Sequence, residues 1–157
     1  KHIELLIRAA NKAKIRLKVV GTGRDEKFLK SIADNTVELV GDVTDCELIK
    51  LYNGASAFLF ASIDEEFGIA PIEAMGYGLP VIAYASGGLL ETVHEGVNGY
   101  LYEQFDEDSL IEKINKLNSL SKNDYTQMRI NARKESEKYT EEIFAKKIKQ
   151  FVNQLTR

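Results

Sequence analysis

The sequence has 157 residues, 44% of them hydrophobic and 29% charged, the composition of one globular domain with a core of its own. Its 21 basic and 24 acidic residues leave a formal net charge of −3, which argues against broad electrostatic binding to nucleic acid while leaving room for a local basic pocket. Cys46 has no second cysteine for an internal disulfide, His2 and His94 give no metal-ligand spacing, and neither a signal peptide nor an apolar run of ~20 residues is present.

The chain opens on Lys1-His2-Ile3, already inside a helical pattern and without an initiator Met, which reads as a cut within a longer protein. Ile3, Leu6, Ile7 and Ala10 fall at helical spacing. Ile15, Leu17 and Val19 then alternate with charged residues up to Gly21-Thr22-Gly23, a strand entering a tight turn. Phe28, Leu29 and Ile32 supply the apolar face of a second helix, and Val37 to Val40 a second strand ended by Gly41-Asp42. Thr44-x-x-Glu47 is a capping-box pattern, and Leu48, Leu51, Tyr52 and Ala55 follow at helix period.

Ala57 to Ala61 is apolar without alternation, as expected of a central strand covered on both faces. Pro71 then starts a helix reaching about Tyr77, Pro80 to Tyr84 forms a strand, Leu89 to Glu95 a short helix, and Gly99 to Tyr102 a last strand. From Asp106 onward the pattern is helical only, with Leu110, Ile114 and Leu117 on one helix and Phe144, Ile148, Phe151 and Leu155 on the last. Five alternations of strand and helix predict an α/β fold: a Rossmann-like, doubly wound parallel sheet with extra C-terminal helices. Ligands of such sheets bind beyond the carboxyl ends of the strands. The loops at Gly21–Arg24, Gly41–Asp45, Ser62–Pro71, Ala85–Leu89 and Tyr102–Asp106 are therefore the ones to watch.

Ser62–Met75 is the richest of these stretches. Ala70, before Pro71, has no side-chain oxygen to cap a helix, so the first backbone N–H groups lack a local partner where the helix dipole is positive. That suits a phosphate or pyrophosphate, and Gly68 permits close backbone approach. Glu65 and Glu73 bracket the site. Carboxylates repel phosphate but accept paired hydrogen bonds from vicinal hydroxyls, and a diphosphate flanked by two sugars is a nucleotide-sugar. The same residues also fit a helix-stabilising Glu73 and a solvated Glu65-Glu66 pair. Two acids that hydrolyse a glycoside would leave the uncapped helix start without a purpose.

At this loop the sequence resembles retaining GT-B glycosyltransferases of family 4. Their Glu-x7-Glu hallmark is matched by Glu65 and Glu73 with Phe67, Gly68 and Pro71 between them, followed by Glu73-Ala-Met-Gly-Tyr-Gly-Leu-Pro-Val-Ile82, Gly87-Gly88-Leu-Leu-Glu91 and Gly96-Val-Asn-Gly99. Val19-Val-Gly-Thr-Gly23 and Glu47–Ala55 fall in the expected order upstream, so the resemblance covers nearly the whole chain. It implies that residues 1–157 are the C-terminal, nucleotide-sugar-binding half of a GT-B enzyme whose N-terminal acceptor domain is absent, leaving this portion inactive by itself. It implies that Glu73 binds the ribose hydroxyls, that Glu65 faces the donor sugar as the catalytic carboxylate, and that the amides of Phe67, Gly68 and Ile69 hold the sugar and diphosphate. Gly41 to Val43 would border the base, Gly21 and Gly23 would line the cleft, and Lys1 fits the family's diphosphate lysine. Ser86, before Gly87-Gly88, could reach the diphosphate. The implied partners are a nucleotide-sugar donor, the N-terminal domain of the same chain and a saccharide or lipid-linked acceptor of surface polysaccharide or glycan synthesis, with no nucleic acid. The family acts in the cytoplasm or at the inner face of a membrane, which the full enzyme would touch peripherally. No metal or other cofactor is implied beyond the donor itself.

A non-catalytic nucleotide-binding or regulatory module on the same fold is the alternative. Gly21-Thr22-Gly23 with Asp42 is reminiscent of dinucleotide binding, but Glu26 stands where the third glycine of that fingerprint belongs. Arg24 reads as solvated and His94 as a structural residue at a helix end. Lys146, Lys147 and Lys149 read as a face that is solvated or turned to the other domain, with a membrane surface as the alternative.

Overall fold

The computed structural model describes residues 1–155, with eight α-helices and five strands among them. Helix α1 (Ile3–Ala13) buries Leu5, Leu6, Ile7, Ala9 and Ala10, and Lys14 ends it in the left-handed region with its amide on the carbonyls of Ala10 and Asn11. Strand β1 (Leu17–Val20) pairs in parallel with β2 (Val37–Gly41) across α2 (Glu26–Ile32). The face assigned to α2 is only partly used: Leu29 and Ile32 are half-buried, whereas Phe28 is exposed. Helix α3 (Asp45–Gly54) has the capping box read from Thr44 and Glu47, with both reciprocal hydrogen bonds formed.

Strand β3 (Phe58–Phe60), α4 (Ile69–Gly76), β4 (Val81–Tyr84), α5 (Leu89–Thr92) and β5 (Gly99–Tyr102) complete the alternation. Hydrogen bonding divides the strands into two parallel ladders, β1-β2 and β3-β4-β5. The central position expected of β3 belongs instead to β4, whose Val81, Ile82 and Ala83 are fully buried. At the margin of its ladder, β3 keeps Phe58 and Leu59 only half-buried.

Alternation along the strands divides the core between the two faces of the sheet. Ile82, Tyr100 and Tyr102 join α1 and the later helix α6 (Glu107–Asn118) in one cluster, while Val81, Ala83 and Phe60 join α4 and α5 in the other. This two-sided cover is the doubly wound arrangement. A helix not marked individually in the sequence, α7 (Lys122–Ser136), backs α4: Arg129 donates to the carbonyls of Gly78 and Tyr77 and Arg133 to that of Gly76. A 3-10 turn (Glu137–Tyr139) leads into α8 (Glu141–Leu155), where Phe144, Ile148 and Phe151 lie exposed instead of facing a core, and the side chain of Leu155 lies outside those described.

Candidate functional site

The carboxyl ends of β3 and β4 present the loop whose residues carry the candidate chemistry. After Phe60 the backbone passes buried Ala61 and Ser62, turns at Asp64 with φ 53°, and reaches Gly68 with φ 83° at the cap of α4. The helix thus begins at Ile69, two residues before the start expected at Pro71. The left-handed backbone of Gly68 lets Ile69 enter the helix directly, and a Cβ on Gly68 would stand 3.3 Å from Leu89 Cδ2. Pro71 becomes the third helical residue, still among the positions whose N–H has no intrahelical acceptor. The first helical hydrogen bond runs from the Ile72 amide to the Gly68 carbonyl.

The uncapped helix start survives this correction and widens. Gly68 has no side chain to cap with, and the amides of Phe67, Gly68, Ile69 and Ala70 meet no acceptor among the described residues. Ala70 was not among the sequence candidates. Its place one residue inside the true helix start is what makes its amide a donor to anything bound there.

The loop is held from behind by the turn after β4. The Ser86 hydroxyl accepts from the Asp64 amide at 2.9 Å and donates to the Asp64 carboxylate at 3.2 Å. The Gly88 amide donates to the Glu65 carbonyl at 2.8 Å. A Cβ on Gly87 would lie 2.2 Å from that carbonyl oxygen, and one on Gly88 would lie 2.3 Å from the Glu66 carbonyl oxygen. Only glycine allows two backbones to approach this closely. Ser86 is buried and bound to Asp64, so its hydroxyl serves the shape of the loop.

Glu65 and Glu73 differ in their surroundings. The Glu65 carboxylate takes the Lys1 ammonium at 2.6 Å, which together with a hydrogen bond from Ser62 holds it below the ordinary carboxylate range against a desolvation cost. Lys1 also stands 5.3 Å from the centroid of the Phe60 ring, so the first residue of the chain lies at this site. Glu73, on the exposed side of α4, accepts no hydrogen bond among the described residues. Its neighbour on α3 is Tyr52, stacked on Tyr77 at 4.9 Å; burial, then Glu73 and Tyr77, push the Tyr52 phenol up.

The loops after β1 and β2 form a second group. The Gly21 amide donates to the Gly41 carbonyl at 2.8 Å, both glycines have positive φ, and the Thr22 hydroxyl lies 3.3 Å from the Asp42 carboxylate. Nothing stands within 4 Å of a Cβ built on Gly21, Gly23 or Gly41, and Val43 is half-buried at the entry to α3. Lys1, Glu65, Phe67, Gly68, Ile69 and Ser86 are therefore tied into one loop cluster, Glu73 faces α3, and Gly21, Gly23, Gly41 and Val43 belong to the neighbouring ladder.

Tyr139, outside the sequence candidates, touches the first group and is itself held by a second such residue, Glu135. The Tyr139 ring meets Phe67 edge-on at 5.2 Å, and its hydroxyl donates to Glu135, a buried carboxylate whose other oxygen lies 3.4 Å from His94 Nε2. His94 lies two residues beyond the end of α5 (Leu89–Thr92), which stops short of the Glu95 expected, so its place is set by Glu135 and not by a helix end. A surface groove of about 760 Å³ lies at the opposite end of α4, lined by Tyr77, Gly78, Tyr125 and Arg129. No helix among the described residues is long and apolar enough to cross a membrane, and no cluster of three potential metal ligands occurs among them.

The model of the family described as glycosyl transferases group 1 matches residues 1–135. An uncharacterized glycosyltransferase of Methanocaldococcus jannaschii is 32% identical over 126 residues, covering 74% of this chain and 32% of that protein. The human alpha-1,3/1,6-mannosyltransferase is 29% identical over 155 residues, covering 87% of this chain and 36% of that protein. The chain spans about a third of the length of the curated relatives it matches. Among solved structures, the pneumococcal O-GlcNAc transferase in complex with UDP and GlcNAc superposes with TM-score 0.82 at 26% identity, covering 100% of this chain and 34% of that one. The Anabaena protein HepE in complex with UDP-glucose gives TM-score 0.80 at 25% identity over 98% of this chain and 45% of that one.

Proposed function

We propose, from the premise that this chain belongs to the glycosyl transferases group 1 family, that it is the donor-binding half of a retaining GT-B glycosyltransferase of family 4. The observation that carries the reading is the start of α4, where four consecutive amides, Phe67 to Ala70, stand without acceptors between Glu65 and Glu73. A diphosphate supplies the missing acceptor oxygens, and the helix dipole favours its charge. The solved relatives that hold UDP with a sugar lend the same ligand class to this chain.

In this reading Glu73, free of internal partners, accepts from the ribose hydroxyls, and Glu65 faces the hydroxyls of the donor sugar. Gly41 and Val43 border the base, and Gly21 and Gly23 leave room beside the phosphates. Ser86 acts through Asp64, by fixing the loop. Lys1 exchanges Glu65 for the diphosphate when donor is bound. As the bond to the anomeric carbon breaks, negative charge grows on the departing diphosphate, and the preorganised amides with Lys1 meet it there. The charge is thus balanced by the protein, and the reading calls on no metal ion or further cofactor. Closure by an N-terminal domain would complete the site and admit a saccharide or lipid-linked acceptor, in the cytoplasm or at the inner face of a membrane. Residues 1–157 alone would transfer little.

Ligand-detected NMR with UDP, GDP, ADP and NAD tests the reading. At least one nucleoside diphosphate is expected to bind. Glu73→Ala should weaken it by about tenfold or more, the cost of a lost hydrogen bond to a charged group, with unchanged thermal melting. Binding of NAD alone, or equal affinity in wild type and variant, would overturn it.

A further inference from the structure

We propose that Tyr139 is a positioning residue of the donor loop: its ring, fixed by the buried carboxylate of Glu135, holds Phe67 and thereby sets the direction of the free amides at the start of α4. The inference rests on the donor reading for its consequence and on geometry for its substance.

Tyr139 closes the 3-10 turn after α7, far from the loop in sequence. Its ring packs against the core cluster that contains Leu89, Val93, Ile72 and Met75, and presents its edge to Phe67 with centroids 5.2 Å apart and planes at 68°. Such an edge-to-face pair is attractive and directional. The hydroxyl end is equally fixed: it donates to Glu135 at 3.3 Å, and Lys138 donates to the same carboxylate at 2.7 Å. Glu135 is 7% exposed at its side chain. A charge in that position is costly unless paired and hydrogen-bonded. What the arrangement secures is the orientation of one phenol and, through His94, the chain just after α5. Burial, then Glu135, push the Tyr139 phenol up, so it remains the donor.

Phe67 needs this hold. The residue is 41% exposed, and Tyr139 is its aromatic partner among the described residues. The Gly87-Gly88 turn packs on the backbone of Glu65 and Glu66 and reaches the Phe67 Cα, and Ile69 and Ala70 are held in the first turn of α4, whereas the Phe67 side chain has neither support. The amides of Phe67 and Gly68, between these two supports, take their direction from the left-handed backbone of Gly68 and from where the Phe67 ring is held. Donors for a developing charge act through preorganisation, and displacement by an ångström is enough to lose it.

Three variants separate positioning from bulk packing. Tyr139→Phe keeps the ring, Tyr139→Leu keeps apolar cover over the core but removes the ring edge, and Met128→Ala opens the other core cluster. Backbone 15N relaxation of the nucleotide-free chain is the first readout. Amides of Phe67 and Gly68 should be rigid in the wild type, fall below an order parameter of about 0.6 in Tyr139→Leu, and lie between the two in Tyr139→Phe, whose ring has lost its bond to Glu135. Met128→Ala should leave them rigid while lowering the melting temperature. A loop as rigid in Tyr139→Leu as in the wild type, or loosened as much by Met128→Ala, overturns the proposal. The second readout is the affinity for UDP and GDP, expected to fall about three- to tenfold in Tyr139→Leu and by less in Tyr139→Phe, which keeps the ring edge but not its bond to Glu135. Undiminished affinity in Tyr139→Leu also overturns it. Failure of the wild type to bind either nucleotide counts against the donor reading, and the relaxation result still decides the role of Tyr139.

Discussion

The two ladders of this fold are built from similar strands and end up in different physical states. No described residue from Asn11 to Leu59 is buried, although β1 and β2 carry the same branched apolar residues as β4. The β3-β4-β5 ladder lies between two clusters in which Val81, Ile82, Ala83, Leu89 and Tyr102 are fully enclosed. Strand composition alone therefore does not make a core; cover by helices on both faces does. The difference is functional as well. The loop proposed to hold the diphosphate is mounted on the dense ladder, and the loops proposed to border the base and phosphates are mounted on the thin one, where opening is easier.

The largest expected effect sets the two ladders directly against each other. Ile82→Ala should cost about 2–5 kcal/mol, because the cavity opens where neighbours cannot collapse. Leu39→Ala, at a half-buried position on β2, should cost about 1 kcal/mol. Urea denaturation of the two variants measures both, and equal losses would break the contrast. The next effect compares glycines. Gly88→Ala pushes a Cβ to 2.3 Å from the Glu66 carbonyl oxygen, so the loop must move at a cost of about 1–3 kcal/mol. Gly23→Ala meets nothing within 4 Å and has no positive φ, so its melting temperature should stay close to that of the wild type. A Gly88→Ala chain that melts with the wild type would mean that the turn after β4 does not hold the loop.

Much of this was legible in the sequence, for reasons that differ along the chain. Helix α1, the Thr44–Glu47 capping box and β5 follow from local periodicity and local hydrogen bonds, and they stand as read. The start of α4 was misplaced by two residues because Pro71 is a strong local signal. The stronger determinant, the left-handed backbone of Gly68 packed on Leu89, depends on a contact with α5. The exposure of Phe28 and the partial cover of β3 were equally out of reach, since a periodic apolar face gives the orientation of an element and not what comes to cover it. Glu65, Phe67, Gly68, Ile69 and Ser86 were found as a group by motif. Tyr139 and Glu135 were not, because their link to Phe67 exists only once α7 has folded back along α4.

The smallest effect concerns two ion pairs of equal length, one on each ladder. Lys18 and Glu38 are register partners on β1 and β2, 2.6 Å apart and more than half exposed on both sides. Replacing Glu38 by Gln should change stability by less than about 0.5 kcal/mol. Lys1 and Glu65 are also 2.6 Å apart, but the Glu65 side chain is only 23% exposed. Its carboxyl is held below the ordinary value of 4.5 in the folded chain, chiefly by Lys1. Above that value Glu65 is ionised in both states and the pair contributes fully. As the pH falls below about 4.5 the unfolded chain takes up a proton first, and the contribution is lost as the pH passes the lower folded value. Because Lys1 is 63% exposed, screening limits the gain to less than about 1 kcal/mol. Glu65→Gln should therefore be slightly less stable than the wild type near neutral pH and converge on it in acid, as thermal melting across the range would show. A gap that stays constant through the acid range would mean that the pair carries no stability. The same protonation would strip Glu65 of the charge proposed to meet the donor sugar, so nucleotide-sugar binding and this part of the fold's stability should fade together in acid.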